Sequence, residues 1–241
     1  MTLAAASDVL LTAMKGLHTA EIDLTLDRVW HLLAKLDNPQ DKLPPVVHIA
    51  GTNGKGSVLA MIRAGIEGMG QSASAYTSPH LARFHERIRL AGALISEPHL
   101  ADILDECIRV NDGDNITFFE ITTIAGILAL SRSPADYCLL EVGLGGRLEA
   151  TNVVAKPALT VITPVSIDHS EFLGPTLAAI AGEKAGILKR GVPCIVGPQQ
   201  DEAMQVIEEK AARLGVAVHA YGQHWHVSQE RDRLIYQDET G

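Results

Sequence analysis

Residues 48–57, His48-Ile49-Ala50-Gly51-Thr52-Asn53-Gly54-Lys55-Gly56-Ser57, place a glycine-rich turn between an apolar strand and an amphipathic helix. Glycines let backbone amides approach phosphate oxygens, the helix N-terminus adds partial positive charge, and Lys55 supplies a mobile ammonium group. The segment departs from the common Walker pattern, which needs glycine at Ile49 and serine or threonine at Gly56. A glycine turn with a solvated lysine is the alternative. We predict that nucleotide phosphates bind to Gly51, Thr52, Asn53, Gly54, Lys55, Gly56 and Ser57.

Strand and helix signals alternate on both sides of this turn. Apolar runs predict strands at 46–50, 72–76, 137–142, 159–163, 193–196 and 216–220. Helical spacing predicts one helix through Leu26, Val29, Trp30, Leu33 and Leu36, and a second with Val58, Ile62, Gly65, Ile66 and Met69 on one face. Further helices are expected at 97–110, 117–131, 176–189 and 201–214. This alternation is typical of an α/β fold with a mostly parallel sheet and helices on both faces.

Loop, cap and turn residues predict the remaining parts of the chain. Prolines after residue 38 predict an extended loop before the first strand, and Asp201 and Gly215 are expected to cap the last helix. After Tyr221 two short apolar and aromatic runs, 224–227 and 234–236, flank a polar turn. They predict a short antiparallel segment at the end of the chain.

Composition excludes several classes of protein. The 241 residues include 20 Lys and Arg against 29 Asp and Glu, a formal net charge of −9, which disfavours a nucleic-acid binder. Three widely spaced cysteines form no C-x-x-C motif, so neither a disulfide framework nor a zinc site is indicated. No secretion signal is visible, and the most apolar stretch, 118–130, is too short for a membrane span. A globular cytoplasmic protein is expected, with no nucleic-acid or membrane partner.

Several polar groups follow predicted strands. Gly51, Thr77-Ser78, Glu141 and 166–169 all lie at or after strand ends, which in a parallel sheet meet at one edge. Glu141 closes an apolar strand, where a carboxylate is costly unless it is paired or binds a cation, so Mg²⁺ is its expected partner. A capping or salt-bridged glutamate is the alternative. From its sequence position alone, His169 is expected to be a hydrogen-bonded loop residue. Lys184 is expected, on the same basis, to be a solvated helix residue.

The glycine turn strongly resembles the phosphate loop of the folylpolyglutamate synthase and dihydrofolate synthase family, within the Mur ligase superfamily. Four more segments resemble that family in the same order: Thr77 to Leu81, Glu141 to Asn152 (EVGLGGRLEATN), Asp168-His169 through Leu173-Gly174, and Glu183 to Ile187. The resemblance implies a P-loop domain like the central domain of Mur ligases. It implies an ATP-binding ligase domain over 1–221, in which 1–45 hold helices and a substrate loop. Residues 222–241 would then begin a small connecting sheet, with the family's C-terminal glutamate-ligase domain absent from this chain.

The resemblance also implies roles for individual residues. Glu141 and Ser78 would hold one Mg²⁺ and Glu141 with His169 a second, and Mn²⁺ could substitute for either. Lys184 would be carbamylated, which converts its ammonium into an anion that supports the metal site. Lys55, Glu141, His169 and Lys184 are thus the expected catalytic residues.

Substrate contacts are implied on three segments. The pterin end of the substrate would contact Ile22, Asp23, Leu24, Thr117, Phe119, Glu149 and Ala150, with Arg147 free for an anionic group. Glu149 stands where the family usually has aspartate. Ordinary packing is the alternative for these residues, and hydrogen-bonding or surface roles are expected for His224 and His226.

The predicted activity is that of an ATP-dependent carboxylate–amine ligase, in which ATP phosphorylates a carboxylate and an amine displaces the phosphate. By resemblance the carboxylate belongs to dihydropteroate or a folate and the amine to L-glutamate, and the protein is expected to be a monomer. Alternatives are a Mur-type ligase acting on a muramoyl nucleotide and a nucleotide-binding module without turnover. A P-loop GTPase is disfavoured because no N-K-x-D segment is present.

Overall fold

The computed structural model describes residues 5–17 and 24–240. Eight α-helices lie within this part of the chain: α1 (Ala6–Met14), α2 (Asp27–Lys35), α3 (Lys55–Gly68), α4 (Glu97–Asn111), α5 (Phe118–Ser131), α6 (Ser170–Leu173), α7 (Leu177–Lys184) and α8 (Asp201–Leu214). The strands are β1 (Val46–Ala50), β2 (Ala73–Tyr76), β3 (Ile88–Leu90), β4 (Ala93–Leu94), β5 (Tyr137–Glu141), β6 (Leu159–Ile162), β7 (Cys194–Val196), β8 (Val218–Ala220), β9 (Trp225–Glu230) and β10 (Arg233–Asp238).

Eight strands form one sheet in the order β4-β3-β2-β5-β1-β6-β7-β8. The six strands from β2 to β8 in this order are parallel, and β3 and β4 add an antiparallel edge. β1 lies near the middle, paired with β5 on one side and β6 on the other. The turn that follows β1 is therefore at the centre of the carboxyl edge of the sheet.

Helices cover both faces of this sheet. α3 packs through Leu59 and Ile66 against one face, which β1 lines with Val47 and Ile49. The opposite face carries two apolar clusters. One contains residues of α1, α2, α4 and α5, and the other contains residues of α7 and α8. The predicted fold class is confirmed.

The predicted elements agree with the structure at most positions, with corrections at their ends and edges. Trp30 and Met69, which fit the helical spacing of the predicted apolar faces, are 42% and 71% exposed. The expected extended loop contains a 3₁₀ helix, Pro39–Lys42. Gln200, rather than Asp201, occupies the N-cap of α8, whereas Gly215 does adopt the left-handed conformation at its end. The helix expected at 176–189 ends as an α-helix at Lys184.

Elements beyond the sequence expectations are short or lie at the periphery. α6, β3 and β4 belong to this group. The antiparallel segment is confirmed as a hairpin in which β9 pairs with β10. Cys107, Cys138 and Cys194 are free and buried. Within residues 5–17 and 24–240, no helix has the length and apolarity needed to cross a membrane.

Candidate active site

The phosphate loop follows β1 directly and takes its shape from its glycines. Gly51 has φ +146° and lies so close to Thr163 that a side chain would overlap that threonine. Gly54 has φ +81° and forms the N-cap of α3. Both conformations are ones that residues with a Cβ rarely adopt. These two glycines explain why the chain can turn sharply from the strand into the helix.

The first half of the loop is fixed to the segment after β6. The amides of Thr52 and Asn53 donate to the Pro164 carbonyl at 3.0 and 3.3 Å. The Thr52 hydroxyl donates to the Ser166 carbonyl at 3.1 Å, and Asn53 Nδ2 donates to Ser166 Oγ at 3.2 Å. Among the described residues, the amides of 54–57 have no acceptor. The free amides are thus in the second half of the loop, at the start of α3, where the helix dipole favours an anion.

Two lysines share one acceptor beneath the loop. Lys55 Nζ and Lys184 Nζ both donate to the Gly51 carbonyl, at 3.1 and 3.0 Å. Lys184 ends α7 and is only 5% exposed, so its interpretation as a solvated helix residue was wrong. Burial, assisted by the charge of Lys55, lowers the pKa of Lys184 to about 8. A neutral amine is therefore accessible near neutral pH.

A buried carboxylate and an unpartnered hydroxyl meet next to this loop. Glu141, the last residue of β5, accepts a hydrogen bond from the Ser78 amide at 3.3 Å. Burial raises the pKa of Glu141, and the charge of Lys55 opposes this shift. Ser78 Oγ is buried without a hydrogen-bond partner. A carboxylate and a hydroxyl are the hard oxygen ligands that Mg²⁺ prefers, so these two residues fit the predicted metal.

Gly56 lies beside this pair. A Cβ at this position would be 3.8 Å from both carboxylate oxygens of Glu141, an ordinary contact distance. The start of α3 and Glu141 are therefore close neighbours.

His169 stands apart from this pair. It has φ +48° and its half-exposed ring lies 3.7 Å from an Asp168 oxygen and 3.9 Å from a Glu171 oxygen. No group of three or more His, Cys, Asp or Glu side chains within the described part of the chain is arranged to hold a metal ion. The structure therefore brings together Ser78 and Glu141, and the second metal site through His169 stays a prediction.

Glu149 is the centre of a buried hydrogen-bond network. One carboxylate oxygen accepts from the Gly143 amide at 2.9 Å, and the other accepts from the amide and the hydroxyl of Thr151. Because the Thr151 hydroxyl donates to Glu149, it accepts from His48 Nε2 at 2.9 Å. Burial raises the pKa of Glu149 to about 7 and lowers that of His48 to about 3. The sequence interpretation missed His48 and Thr151, although a histidine inside an apolar strand was a signal.

The other predicted substrate residues have local partners. Thr117 caps α5 by accepting from the Glu120 amide at 3.2 Å. Phe119 lies against Gly143, where it leaves no room for a Cβ. Arg147, expected to be free for an anion, pairs with Glu183 at 2.9 Å. The Arg147 side chain is still about half exposed, so its contact with an anionic group stays a prediction.

The remaining predictions concern the periphery of the site. Ala150 is buried in the larger apolar cluster, and Leu24 packs against the cluster of α7 and α8. Ile22 and Asp23 lie outside the described residues. His224 is confirmed as a hydrogen-bonding residue, since its Nδ1 accepts from the Ala220 amide at 3.2 Å, and His226 is exposed.

Comparison with known proteins identifies relatives of this arrangement. The dihydrofolate synthase/folylpolyglutamate synthase of Bacillus subtilis (strain 168) is 40% identical over 195 residues, 78% of this chain and 45% of that protein. Escherichia coli FolC in complex with DHPP and ADP matches with a TM-score of 0.91 at 32% identity, over 99% of this chain and 56% of that one. A Yersinia pestis bifunctional folylpolyglutamate synthase/dihydrofolate synthase, complexed with AMPPNP and Mn ion, matches with a TM-score of 0.88 at 32% identity, over 99% and 58% of the chains.

These matches confirm the resemblance stated from the five sequence segments. The chain spans about half the length of the curated relatives it matches. The Mur ligase middle domain matches residues 49–241, which include the phosphate loop, Ser78, Glu141 and Lys184. The chain belongs to the Mur ligase family.

Proposed function

We propose that this chain is the nucleotide-binding part of an ATP-dependent ligase that joins L-glutamate to dihydropteroate or a folate through an acyl phosphate. The observation that carries the proposal is the convergence of the phosphate loop, the Ser78–Glu141 pair and buried Lys184 at one edge of the sheet. The names of the matched proteins, dihydrofolate and folylpolyglutamate synthases, support the substrate class.

The loop binds the triphosphate through the free amides of 54–57. Lys55 leaves the Gly51 carbonyl and pairs with the phosphate that is being transferred. Its charge then stabilises the phosphoryl group while the substrate carboxylate oxygen attacks the terminal phosphorus of ATP in line and ADP leaves. The amine of L-glutamate displaces phosphate from the acyl phosphate and forms the new amide bond. Mg²⁺ held by Glu141 and Ser78 would neutralise charge on the phosphate oxygens.

Lys184 is the proposed site of carbamylation. The neutral amine attacks CO₂, forms a carbon–nitrogen bond and releases one proton, which leaves a carbamate anion. Burial favours the neutral amine, and the nearby ammonium of Lys55 stabilises the anion that results. The modification replaces a repulsion between two cations with an attraction.

The pocket for the pterin end is proposed at the loop from Gly143 to Ala150, with Phe119 as one wall. Both oxygens of Glu149 are already hydrogen bonded within the protein, so this side chain shapes the loop around the substrate. Leu24, Thr117 and Ala150 are proposed to line the same pocket. Ile22 and Asp23 are proposed to contact the pterin end as well. Buried free cysteines support a cytoplasmic enzyme, which we expect to be a monomer.

A nucleotide-binding module without turnover is the second candidate. Turnover measured for this chain and for a longer one that contains it distinguishes the two functions.

Calorimetry tests the substrate class. The chain, loaded with Mg²⁺ and a non-hydrolysable ATP analogue, is titrated with dihydropteroate and separately with a muramoyl nucleotide. Binding of dihydropteroate alone is the expected result. Binding of the muramoyl nucleotide alone would overturn the proposal in favour of a Mur-type peptide ligase.

A further inference from the structure

Gln199 lies in the loop between β7 and α8, at the carboxyl edge of the sheet. Its side-chain amide makes two hydrogen bonds to the segment that follows β6. Nε2 donates to the Thr163 carbonyl at 3.1 Å, and Oε1 accepts from the Val165 amide at 3.0 Å. One partly buried side chain thus binds the backbone on both sides of Pro164.

This side chain takes over where the pairing between β6 and β7 ends. The Gly197 amide donates to the Ile162 carbonyl at 2.9 Å, next to the end of both strands. Pro164 and Pro198, which follow, have no N–H with which to continue the pairing. Gln199 donates to one residue and accepts from the residue two positions on, as a residue of a parallel neighbouring strand does. Its side chain therefore replaces backbone pairing that the prolines prevent.

The two hydrogen bonds fix the peptide bond between Pro164 and Val165. This bond is trans, so the Pro164 carbonyl and the Val165 N–H lie in one plane and point in opposite directions. On one side the N–H donates to Gln199 Oε1. On the other side the carbonyl accepts from the amides of Thr52 and Asn53, at 3.0 and 3.3 Å. Gln199 thereby holds the carbonyl towards the phosphate loop, since rotation of the plane would break the bonds on both sides.

A second anchor of the phosphate loop depends on the same segment. The Ser166 amide, next to Val165, donates to the Thr52 hydroxyl at 3.1 Å, and that hydroxyl donates to the Ser166 carbonyl at 3.1 Å. Asn53 Nδ2 donates to Ser166 Oγ at 3.2 Å. These bonds hold Thr52 and Asn53, the two residues that precede the amides proposed to bind phosphate. The direction of those amides is therefore set in part by the segment 163–166.

We propose that Gln199 is a positioning residue for nucleotide binding, which acts through the Pro164 carbonyl to hold the phosphate loop in its binding conformation. This inference rests on the proposed function. Gln199 acts through the segment 163–165 and contributes no group to the phosphates. Without its two hydrogen bonds the Pro164–Val165 plane can turn, and the loop then samples conformations that do not bind phosphate. The affinity for nucleotide falls with the population of the competent conformation.

Calorimetry with Mg²⁺ and a non-hydrolysable ATP analogue tests this inference. Gln199→Met keeps the length of the side chain and removes both hydrogen bonds. It should weaken binding of the analogue about tenfold. The matched control is Gln200→Met, because the neighbouring Gln200 is exposed and its side chain does not cap α8. This control should bind within about twofold of the wild-type chain.

Gln199→Glu separates hydrogen bonding from side-chain size. As a carboxylate it still accepts from the Val165 amide, but its second oxygen repels the Thr163 carbonyl. When protonated, the same group donates to that carbonyl and restores both bonds. Affinity should therefore be about tenfold below wild type at about pH 8 and within about threefold at about pH 5. Gln200→Glu, the charge-matched control, should stay within about twofold at both pH values.

Amide hydrogen exchange tests the anchoring without nucleotide. In Gln199→Met the amides of Thr52, Asn53 and Val165 should exchange about tenfold faster than in the wild-type chain. The Val142 amide, which donates to the Ile49 carbonyl at 2.9 Å on the other side of β1, is the internal control. Its exchange rate should not change. Equal rates for Thr52 and Asn53 in the two proteins would overturn the inference.

The remaining outcomes separate this inference from the proposed function. Equal nucleotide affinity of wild type and Gln199→Met would overturn the inference and leave the proposed function standing. An affinity deficit of Gln199→Glu that is the same at both pH values would also overturn it, and this comparison decides the question where Gln199→Met does not fold. A wild-type chain that binds no nucleotide would overturn the proposed function and this inference together.

Discussion

Lys55 is the residue on which nucleotide binding most depends. Its ammonium donates to the Gly51 carbonyl at 3.1 Å and can turn from there to a phosphate. Lys55→Ala is expected to weaken binding of a non-hydrolysable ATP analogue by about 10- to 100-fold, because a hydrogen bond to a charged group is lost. Calorimetry measures this change. The exposed Lys156→Ala provides the control, and unchanged affinity in Lys55→Ala would remove the lysine from the site.

Glu141 and the unpartnered hydroxyl of Ser78 lead to a prediction about the metal. Glu141→Gln keeps the shape of the side chain and an acceptor for the Ser78 amide but removes the negative charge. Mg²⁺ should then no longer raise the melting temperature of the chain with ADP bound, because a cation that binds only the native state stabilises it. Scanning calorimetry over a series of Mg²⁺ concentrations measures the effect. Parallel titrations of wild type and variant would contradict the role of Glu141.

The raised pKa of Glu149 makes the stability of the protein depend on pH. Its folded pKa of about 7 lies above the ordinary value of 4.5, so between these values the native chain holds a proton that the unfolded chain has released. The free energy of unfolding should therefore fall as pH rises from 4.5 to 7, by about 3 kcal/mol from this group alone. Urea unfolding at pH 5 and pH 7.5 measures it. Glu149→Gln should flatten this dependence and exposed Glu230→Gln should not; an equal slope in all three proteins would argue against a buried acid here.

At the scale of elements, the close contact between β2 and α5 is set by one glycine. A Cβ at Gly126 of α5 would lie 2.5 Å from the Tyr76 ring of β2. Gly126→Ala is expected to destabilise the protein by about 1–3 kcal/mol, since neither the strand nor the helix can move freely. The matched control is Gly65→Ala in α3, where no atom lies within 4 Å of the added methyl. Gly65→Ala should stabilise the protein by about 0.5–1 kcal/mol. A similar effect of both substitutions on the free energy of unfolding in urea would refute the close contact between Gly126 and the Tyr76 ring.

Elements with strong sequence patterns were predicted, and those fixed by tertiary contacts were not. β1 and β5 are buried on both faces, so each is a run of apolar residues bounded by turn signals. β3 and β4 have three and two residues, too few for a periodic pattern. β3 forms because β2 offers it an edge, and β4 pairs with β3 in turn. The convergence of Ser78 and Glu141 followed from the rule for parallel sheets. The burial of Lys184 depends on how α7 packs beneath the loop, which helical spacing alone does not report.

At the scale of the whole molecule, the nucleotide site and the terminal hairpin occupy opposite ends of the sheet. The phosphate loop follows the carboxyl end of β1. A cavity of about 580 Å³ opens instead at the amino ends of β6 and β7, next to Leu159, which begins β6, and Pro193, which precedes β7. Ile195 on the sheet and Trp225 and Tyr236 on the hairpin line this cavity. The hairpin therefore packs on the sheet beside the amino ends of β6 and β7, and the boundary near residue 221 stays a prediction.

This separation predicts that removal of residues 222–241 leaves nucleotide binding intact. The dissociation constant for a non-hydrolysable ATP analogue with Mg²⁺ should stay within about twofold, because distant sites without shared partners act additively. The melting temperature should fall, since the truncation uncovers Leu159 and Ile195. Trp225→Ala in the full chain should lower it in the same direction while preserving affinity. A tenfold loss of nucleotide affinity in the truncated chain would instead make the hairpin part of the nucleotide-binding domain, and the boundary near residue 221 would be wrong.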